Sequence, residues 1–276
     1  AFNETGTMTL GWYPRLLQTG LMRVRPNVLA AWIKDLLRVK RVPLGTDHGI
    51  FWIDPVSLLG IALSRQGVHE DGMVKTLQTF LKPGDTFVDL GANEGYFTVI
   101  AAELCGATGR VLAIEPQQRL LPVIAENLRL NESPSVTVLN AAVGAEAGTA
   151  VMHLTASTNT GGSGFERRSR FALPTQAVTI QTLEQVLDQQ GITHVDLMKV
   201  DIEGFEYEAL LGSPKVFEQQ RVKALALELH PTLLASRGKH VQDITALLTR
   251  CGYTQVQTFG NTVWIAEASA RLHRPA

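Results

Sequence analysis

The feature that most constrains this chain is a short apolar strand that stops at a glycine and restarts as a helix. Residues 83–97 read PGDTFVDLGANEGYF. Residues 86–90 have the composition of a buried strand, and residues 96–104 that of a helix ending near Gly106. In open α/β sheets the ligand lies past the carboxyl ends of such strands. The segment therefore predicts an α/β fold whose ligand site begins at this turn.

The same alternation of short apolar strands and amphipathic helices continues to the end of the chain. Further strands are predicted at 110–115, 136–139, 195–200, 224–229, 254–258 and 262–266, with helices at 73–81, 120–128, 182–191, 206–211 and 241–249. Strands separated by helical crossovers form a mostly parallel sheet. The last two strands are joined through Gly260-Asn261 and should form an antiparallel hairpin. We expect a Rossmann-like, open, mostly parallel seven-stranded sheet with helices on both faces and this C-terminal hairpin at one edge.

Residues 1–65 form a predicted helical and β extension ahead of the sheet domain at 66–276. Residues 1–45 hold seven lysines and arginines against two acidic residues, although the formal net charge of the chain is −1. The spacing of apolar residues predicts a basic helix at 28–42, which either packs on the domain or lies on an anionic membrane surface. A strand pair is predicted at 49–59, around an Asp-Pro pair. Three roles stay open for this extension: it could cover the acceptor, form a homodimer or bind another partner.

The composition is that expected of a folded protein from a reducing compartment. Apolar residues make up 45% of the chain and charged residues 18%, and the small net charge gives no field that would attract nucleic acid. Cys105 and Cys251 lie far apart, without the spacing of a zinc site or a disulfide framework. No apolar run approaches the roughly 18 residues of a membrane span, and the start lacks a signal-peptide pattern. We expect a cytoplasmic protein without a transmembrane segment.

The turn after the first predicted strand disfavours dinucleotide binding. A dinucleotide site uses the pattern GxGxxG, whose second glycine lets the backbone approach the pyrophosphate. In DLGANEGY the second glycine position is Asn93 and the third is Tyr96. A side chain would stand where the phosphate lies, so an NAD(P)-dependent oxidoreductase is the less favoured alternative.

An acidic residue ends the next predicted strand. Glu115 stands in the sequence AIEP, where its carboxylate can accept hydrogen bonds from both hydroxyls of a ribose, at about 1.5–3 kcal/mol for a bond to a charged group. Alone, such a residue is as readily an exposed helix cap. Together with DLGANEG it favours a nucleoside without phosphates, and S-adenosylmethionine (SAM) is the candidate. The ammonium and sulfonium groups of SAM suit nearby carboxylates such as Asp89.

Charged residues interrupt the fourth predicted strand and the turn that follows it. In DLMKVDIEG, Lys199 and Asp201 alternate across the strand, and Glu203 precedes a helix. A charge inside an apolar strand is unfavourable unless it faces a cleft or an opposite charge. These residues therefore either line the ligand crevice, at the same sheet edge as Gly91, or form an internal salt bridge.

Six segments follow one another in an order shared with a known family. They are TFVDLGANEGYFT, VLAIEP, NAAVG, VTIQTLEQVL, DLMKVDIEGFEYEALLG and LALELHP. In this order they resemble the FkbM-type SAM-dependent methyltransferases, over about residues 66–265, and the pairing of DLGANEG with KVDIEG makes the resemblance specific. Two positions depart from the family pattern: Glu184 replaces an Asp, and His69 replaces an aromatic residue.

The resemblance implies a class I methyltransferase fold with SAM as cofactor and S-adenosylhomocysteine as product. It implies Asp89, Gly91, Asn93 and Gly95 at the methionine part, Glu115 at the ribose, Asn140, Ala141 and Ala142 beside the adenine, and Asp201 at the SAM amino group or the acceptor.

Methyl transfer from a sulfonium is an in-line displacement, so positioning should matter more than any single base. Alignment of the acceptor can supply about 7–11 kcal/mol, whereas a general base typically contributes about 10²–10⁴-fold. The candidate bases are Asp201, Glu203, Glu228 and His230, and Lys199 could instead orient the acceptor oxygen. His230 precedes a proline and is as readily a turn residue. The acidic residues and His230 could also meet at Mg²⁺, but no tight ligand spacing supports a metal, and none is expected.

The acceptor is the least constrained part of the prediction. The family's usual substrates imply O-methylation of a hydroxyl on a small molecule or glycan. Two alternatives stay open: N-methylation of a protein side-chain amide, such as asparagine, and a SAM-binding module without turnover.

Residues 155–177 are rich in Gly, Ser and Thr and include Arg167, Arg168 and Arg170. Such a segment is typical of a lid that would receive an acidic or polar acceptor, or of a solvated surface excursion.

Overall fold

The structure is a computed structural model and describes residues 33–34, 36–133, 135–155, 160–165 and 174–267. The strands, in chain order, are β1 Val42–Thr46, β2 Gly49–Ile53, β3 Thr86–Leu90, β4 Arg110–Ile114, β5 Val136–Leu139, β6 Ala142–Val143, β7 Gly148–His153, β8 Thr175–Gln181, β9 Val195–Val200, β10 Val222–Leu227, β11 Tyr253–Thr258 and β12 Asn261–Ala266. The helices are α1 Leu58–Gln66, α2 Asp71–Phe80, α3 Tyr96–Cys105, α4 Leu121–Leu130, α5 Leu183–Gln189, α6 Glu206–Leu211, α7 Pro214–Glu218, α8 Pro231–Ser236 and α9 Val241–Arg250.

A seven-stranded sheet with the order β11-β12-β10-β9-β3-β4-β5 forms the centre of the fold. The five strands from β10 to β5 are parallel, and β12 pairs antiparallel with both β10 and β11. The predicted Rossmann-like sheet with its C-terminal hairpin is confirmed. The chain runs outward from β3 to β5 and then returns to β9 on the other side of β3. The carboxyl ends of β3 and β9 therefore lie at the switch point where such sheets bind ligands.

The sheet separates two apolar cores because successive strand residues point to opposite faces. Val88 and Met198 pack in one core with buried residues of α5, α6, α7 and α9. Phe87 and Leu197, their neighbours in the chain, pack in the other core with residues of α1, α2 and α3. The strands are consequently apolar throughout, as expected of a parallel sheet that helices cover on both faces.

Gly91 ends β3 because the end of β9 passes directly against it. Its φ is +87°, and a Cβ at this position would lie 1.9 Å from the backbone oxygen of Asp201. The Asp201 N–H in turn donates to Leu90 O at 3.1 Å. Four residues on, Gly95 has a φ of +81° and precedes α3. The two glycines thus permit a close contact between two strand ends and a left-handed turn.

The N-terminal extension differs from its prediction. β1 and β2 form an antiparallel hairpin in which Val42 pairs with Ile53. The predicted strand pair at 49–59 is wrong, since the residues after Ile53 lead into α1. Ser57 caps that helix, its Oγ accepting a hydrogen bond from Gly60 N at 3.0 Å. Of the predicted helix at 28–42, residues 28–32 and 35 lie outside the described residues. Residues 33, 34 and 36 are helical, but the chain leaves the helix after them and β1 begins at Val42, so the predicted end at residue 42 is wrong. The division of the chain at residue 65 stays a prediction.

Polar contacts fix the β1–β2 hairpin to the sheet domain. Arg41 donates to the buried Glu94 carboxylate at 2.7 Å. Asn127 of α4 accepts from Trp52 N at 2.6 Å and donates to Glu94 O at 2.7 Å. A further buried ion pair joins Lys34 to Asp54. The hairpin is therefore held beside the turn that follows β3.

A second, three-stranded sheet of order β6-β8-β7 was not predicted. β6 has only two residues, and the exposed positions of β7 and β8 carry both apolar and polar residues, such as Val151 and Thr179, so the alternation is weak. The short helices α7 and α8 were missed for a similar reason. Cys105 and Cys251 are free thiols, and both are buried. Among the described residues, no helix has both the length and the apolar character needed to cross a bilayer.

Candidate active site

A largely apolar cavity of about 660 Å³ opens at the carboxyl ends of β3 and β4. Its apolar walls include Ile114, Ala142, Val143, Met152, Phe165 and Phe205. The last two rings form an edge-to-face pair with centroids 4.6 Å apart. Concave sites with mostly apolar walls and a few polar groups typically bind small organic ligands. We refer to this space as the first cavity.

Glu115 supplies the carboxylate of the first cavity. It is 2% exposed, and its two oxygens accept hydrogen bonds from Asn93 N and Gln117 N, both at 2.8 Å. Burial raises the pKa of Glu115 to about 7, although these backbone N–H groups lower it in part. Each carboxylate oxygen keeps a second lone pair, so Glu115 can accept further bonds from a ligand diol.

A second cavity of about 840 Å³ lies on the other side of the same turn. Gly91, Asn93, Gly161, Asp201 and Glu203 line both cavities and form what we call the shared wall. The second cavity is more polar, and its lining includes His69, Glu70, Lys199, Glu228 and His230. The structure thus brings together all four predicted catalytic residues and the additional base candidate Glu228.

Lys199 lies almost completely buried at the end of β9. Its ammonium is 3.2 Å from Asp201 Oδ2 and 5.2 Å from the centre of the Phe97 ring. Burial alone would lower the pKa of Lys199, but the charges of Asp201, Asp89 and Glu70 raise it above its usual value. The predicted salt bridge and the predicted cleft position are both present. Lys199 can therefore hold Asp201 in place while its charge faces the second cavity.

His230 is held by a buried carboxylate that the sequence did not single out. Its Nδ1 lies 2.9 Å from Glu206 Oε1, while its Nε2 lies 3.9 Å from Asp201 Oδ1 and 4.0 Å from Glu203 Oε2. The bond to Glu206, and then the charges of all three acids, raise the pKa of His230 to about 9 against the opposing effect of burial. His230 is therefore part of the site and more than a turn residue.

Atoms of Asp201, Glu203 and His230 lie within 4.8 Å of one another, a spacing that a cation could bridge. The ring of His230 already carries charge opposite to the two carboxylates when protonated. Lys199, 3.2 Å from Asp201 Oδ2, offsets the second carboxylate, and the same three residues are placed for proton transfer.

Three residues predicted at the cofactor line neither cavity within the described part of the chain. Asp89 is buried beneath the turn, where its Oδ2 accepts from Thr98 Oγ1 at 2.7 Å, and burial raises its pKa. Gly95 serves the turn into α3. Asn140 donates to the backbone oxygens of Glu115 and Pro116 at 2.8 and 3.0 Å. These residues support the cavity walls, while Ala141 and Ala142 line the first cavity directly.

Residues 160–165 belong to the segment predicted as a lid, and they cover both cavities. Thr160 Oγ1 donates to Asn93 Oδ1 at 2.8 Å, and Ser163 Oγ donates to Gln117 Oε1 at 2.9 Å. Phe165 contributes to the wall of the first cavity. Arg167, Arg168 and Arg170 lie outside the described residues. Sequence reasoning missed Gln117, Phe165 and Phe205, because residues that line a cavity from loops leave no periodic signal. It also missed Met152, which lies in the unpredicted strand β7.

The sheet order, with a cavity and Glu115 at the switch point, defines a class I methyltransferase fold. A model of the Methyltransferase FkbM domain matches residues 89–254. This is more than half of the chain, and the chain therefore belongs to the FkbM methyltransferase family.

Individual proteins show more distant likeness. Protein-L-isoaspartate O-methyltransferase 1 of Arabidopsis thaliana is 27% identical over 96 residues, which are 34% of this chain and 42% of that enzyme. The chain thus spans less than half the length of this curated relative. The methyltransferase FkbM from Methylobacillus flagellatus KT has a TM-score of 0.44 at 16% identity, covering 70% of this chain and 50% of that one. M. jannaschii TYW2, solved in complex with AdoMet, has a TM-score of 0.41 at 12% identity, covering 82% and 85%.

Proposed function

We propose that the chain transfers the methyl group of SAM to a hydroxyl oxygen on a small molecule or glycan. The observation that carries the proposal is the pair of cavities that meet at the shared wall. One cavity has apolar walls and, outside the shared wall, the carboxylate of Glu115, which together suit a nucleoside. The other is lined by carboxylates, Lys199 and His230, which suit a polar acceptor.

The residues of the first cavity fit SAM. Glu115 can accept both ribose hydroxyls, and Ala142, Met152 and Phe165 offer apolar contacts for an adenine ring. Asn93 and Asp201 of the shared wall are polar partners for the methionine part. When bound, SAM supplies a methyl group that its sulfonium has already activated. The tasks left to the protein are to align the acceptor, to exclude water and to receive a proton.

The lining of the second cavity favours an acceptor that donates hydrogen bonds. Asp201, Glu203, Glu70 and Glu228 present carboxylates, which accept hydrogen bonds from hydroxyl groups and repel acidic acceptors. Burial raises the pKa of Glu228, and the negative charges of Asp201 and Glu70 raise it further. The carboxylates therefore influence one another across the cavity. A polyhydroxylated, neutral acceptor satisfies these groups without adding negative charge.

The first experiment tests the cofactor by thermal shift with SAM, S-adenosylhomocysteine and NAD. We expect both sulfur compounds to raise the melting temperature and NAD to leave it unchanged. Stabilisation by NAD alone would remove the proposal and favour an oxidoreductase.

The second experiment tests the acceptor by incubating the protein and methyl-labelled SAM with fractions of a lysate from the source organism. Mass spectrometry of the labelled product then locates the methyl group. An O-methyl product supports the proposal, whereas label on a protein side-chain amide establishes the nitrogen alternative. Dialysis against EDTA should leave the rate unchanged, because no residue of the site is assigned to a metal.

A further inference from the structure

We infer that Glu206 is a positioning residue for His230, fixing the ring so that Nε2 takes the proton of the acceptor hydroxyl. This inference rests on the proposed methyl transfer and adds to it the identity of the proton acceptor and of the group that orients it. Glu206 is the first residue of α6 and comes two residues after the end of the KVDIEG motif.

The geometry of Glu206 determines which ring nitrogen carries hydrogen. The residue is 0% exposed, and its Oε1 also accepts from Gly204 N at 2.9 Å. A carboxylate oxygen accepts hydrogen bonds, so the ring nitrogen facing it, Nδ1, is the donor. In the neutral ring Nε2 then has its lone pair available. That nitrogen faces Asp201 and Glu203, which are residues of the shared wall.

The position of Nε2 suits proton removal at the point where the two cavities meet. The acceptor O–H bond breaks as the oxygen forms its bond to the methyl carbon. The proton passes to Nε2, and the electron pair of the broken carbon–sulfur bond stays on sulfur. The imidazolium that results is stabilised by the negative charge of Glu206, and the proton then leaves to solvent through the open second cavity.

The charged groups around His230 are mainly acidic, although Lys199 lines the same cavity and pairs with Asp201 at 3.2 Å. Glu206 belongs to α6, Asp201 and Glu203 follow β9, and Glu228 follows β10. They favour the protonated ring, so the neutral, proton-accepting ring becomes more abundant as the pH rises. Removing the charge of Glu206 should lower the pKa of His230 and move the acid limb of the rate profile to lower pH.

The test compares four variants for labelled methyl transfer from SAM into the active lysate fraction. These are Glu206→Gln, His230→Gln, the double variant, and Glu208→Gln as matched control. Glu208 lies on the same helix but pairs with Arg237 at 2.8 Å. We expect each site variant to lose on the order of 10²-fold in rate, with SAM affinity unchanged by calorimetry. The control should retain the wild-type rate.

Two results separate a positioning role from a structural one. If Glu206 acts through His230, the double variant is no slower than His230→Gln, and the acid limb of Glu206→Gln lies at lower pH. Additive losses, or an unmoved acid limb, would overturn the inference.

Nitrogen-15 NMR of the wild-type histidines decides the positioning without turnover, even where Glu206→Gln fails to fold. The spectrum is recorded at a pH above the raised pKa of His230, where the ring is neutral. A neutral ring protonated at Nδ1 supports the positioning, and one protonated only at Nε2 rejects it. A wild-type protein that binds SAM but methylates nothing would overturn the proposed function and the proton-transfer step, while the NMR result would still decide the orientation.

Discussion

Replacing Glu115 by glutamine tests the cofactor site most directly. Glu115→Gln keeps the size of the side chain and removes its charge. In the proposed complex the carboxylate accepts hydrogen bonds from the ribose, and a bond to a charged group contributes about 1.5–3 kcal/mol. Since about 1.4 kcal/mol corresponds to a tenfold change in affinity, the variant should bind SAM roughly 10- to 150-fold more weakly.

The same substitution has a predictable effect on stability. The oxygens of Glu115 accept from Asn93 N and Gln117 N, and an amide offers an oxygen on one side only. One buried N–H group then loses its acceptor, which should lower the free energy of unfolding by about 1–3 kcal/mol.

Isothermal titration calorimetry with SAM and S-adenosylhomocysteine measures the affinity, and urea unfolding measures the stability. Glu126→Gln is the matched control, because Glu126 lies on α4 and pairs with Arg129 at the surface. A folded Glu115→Gln protein that binds SAM within threefold of the wild type would refute the assignment of the first cavity.

Three further predictions concern the turn and its surroundings. SAM affinity should rise with pH and level off above about 7, because the pKa of Glu115 is raised to about 7 and its charged form accepts the ribose bonds. Calorimetry across roughly pH 5.5–8.5 should show this rise in the wild type and its loss in Glu115→Gln. Gly91→Ala should unfold the protein or abolish SAM binding, since the added Cβ meets a backbone oxygen at 1.9 Å. Gly67 is also at positive φ but faces open space, so Gly67→Ala should lower stability by only about 1 kcal/mol. Equal melting temperatures of the two variants would contradict the close contact at Gly91. Arg41→Met should lower the free energy of unfolding by about 3–5 kcal/mol, because Glu94 is left as a buried charge without its cation, and an unchanged urea midpoint would show that the hairpin does not stabilise the turn.

The sequence predicted the central sheet because its signals are local and repeated. Each parallel strand is a continuous apolar run that ends at a turn residue, and the helices between them have their own period. The start of α5 is also set by a local pattern, because Thr182 and Gln185 form a capping box with both of its hydrogen bonds. Elements with weak alternation, such as β6, β7 and β8, gave no comparable pattern.

The site was predictable where a sequence motif marks the end of a strand, and not where segments far apart in the sequence come into contact. Lys199, Asp201 and Glu203 stand in one motif, and His230 follows the neighbouring strand, so the parallel sheet places them at one edge. Glu206 was missed because an acidic residue at a helix start has an ordinary explanation in the helix dipole. Its burial and its contact with His230 depend on how α6 packs, which no local pattern encodes.

The shared wall has a consequence for how this enzyme can change over evolutionary time. Under the proposed assignment, a substitution at Asn93 or Asp201 alters the first and the second cavity together, so selection on donor binding constrains selection on acceptor binding. His69, Glu70 and Glu228 line the second cavity and not the first. The proposal therefore predicts that new acceptors are reached most readily through substitutions at those three positions, with the first cavity left intact.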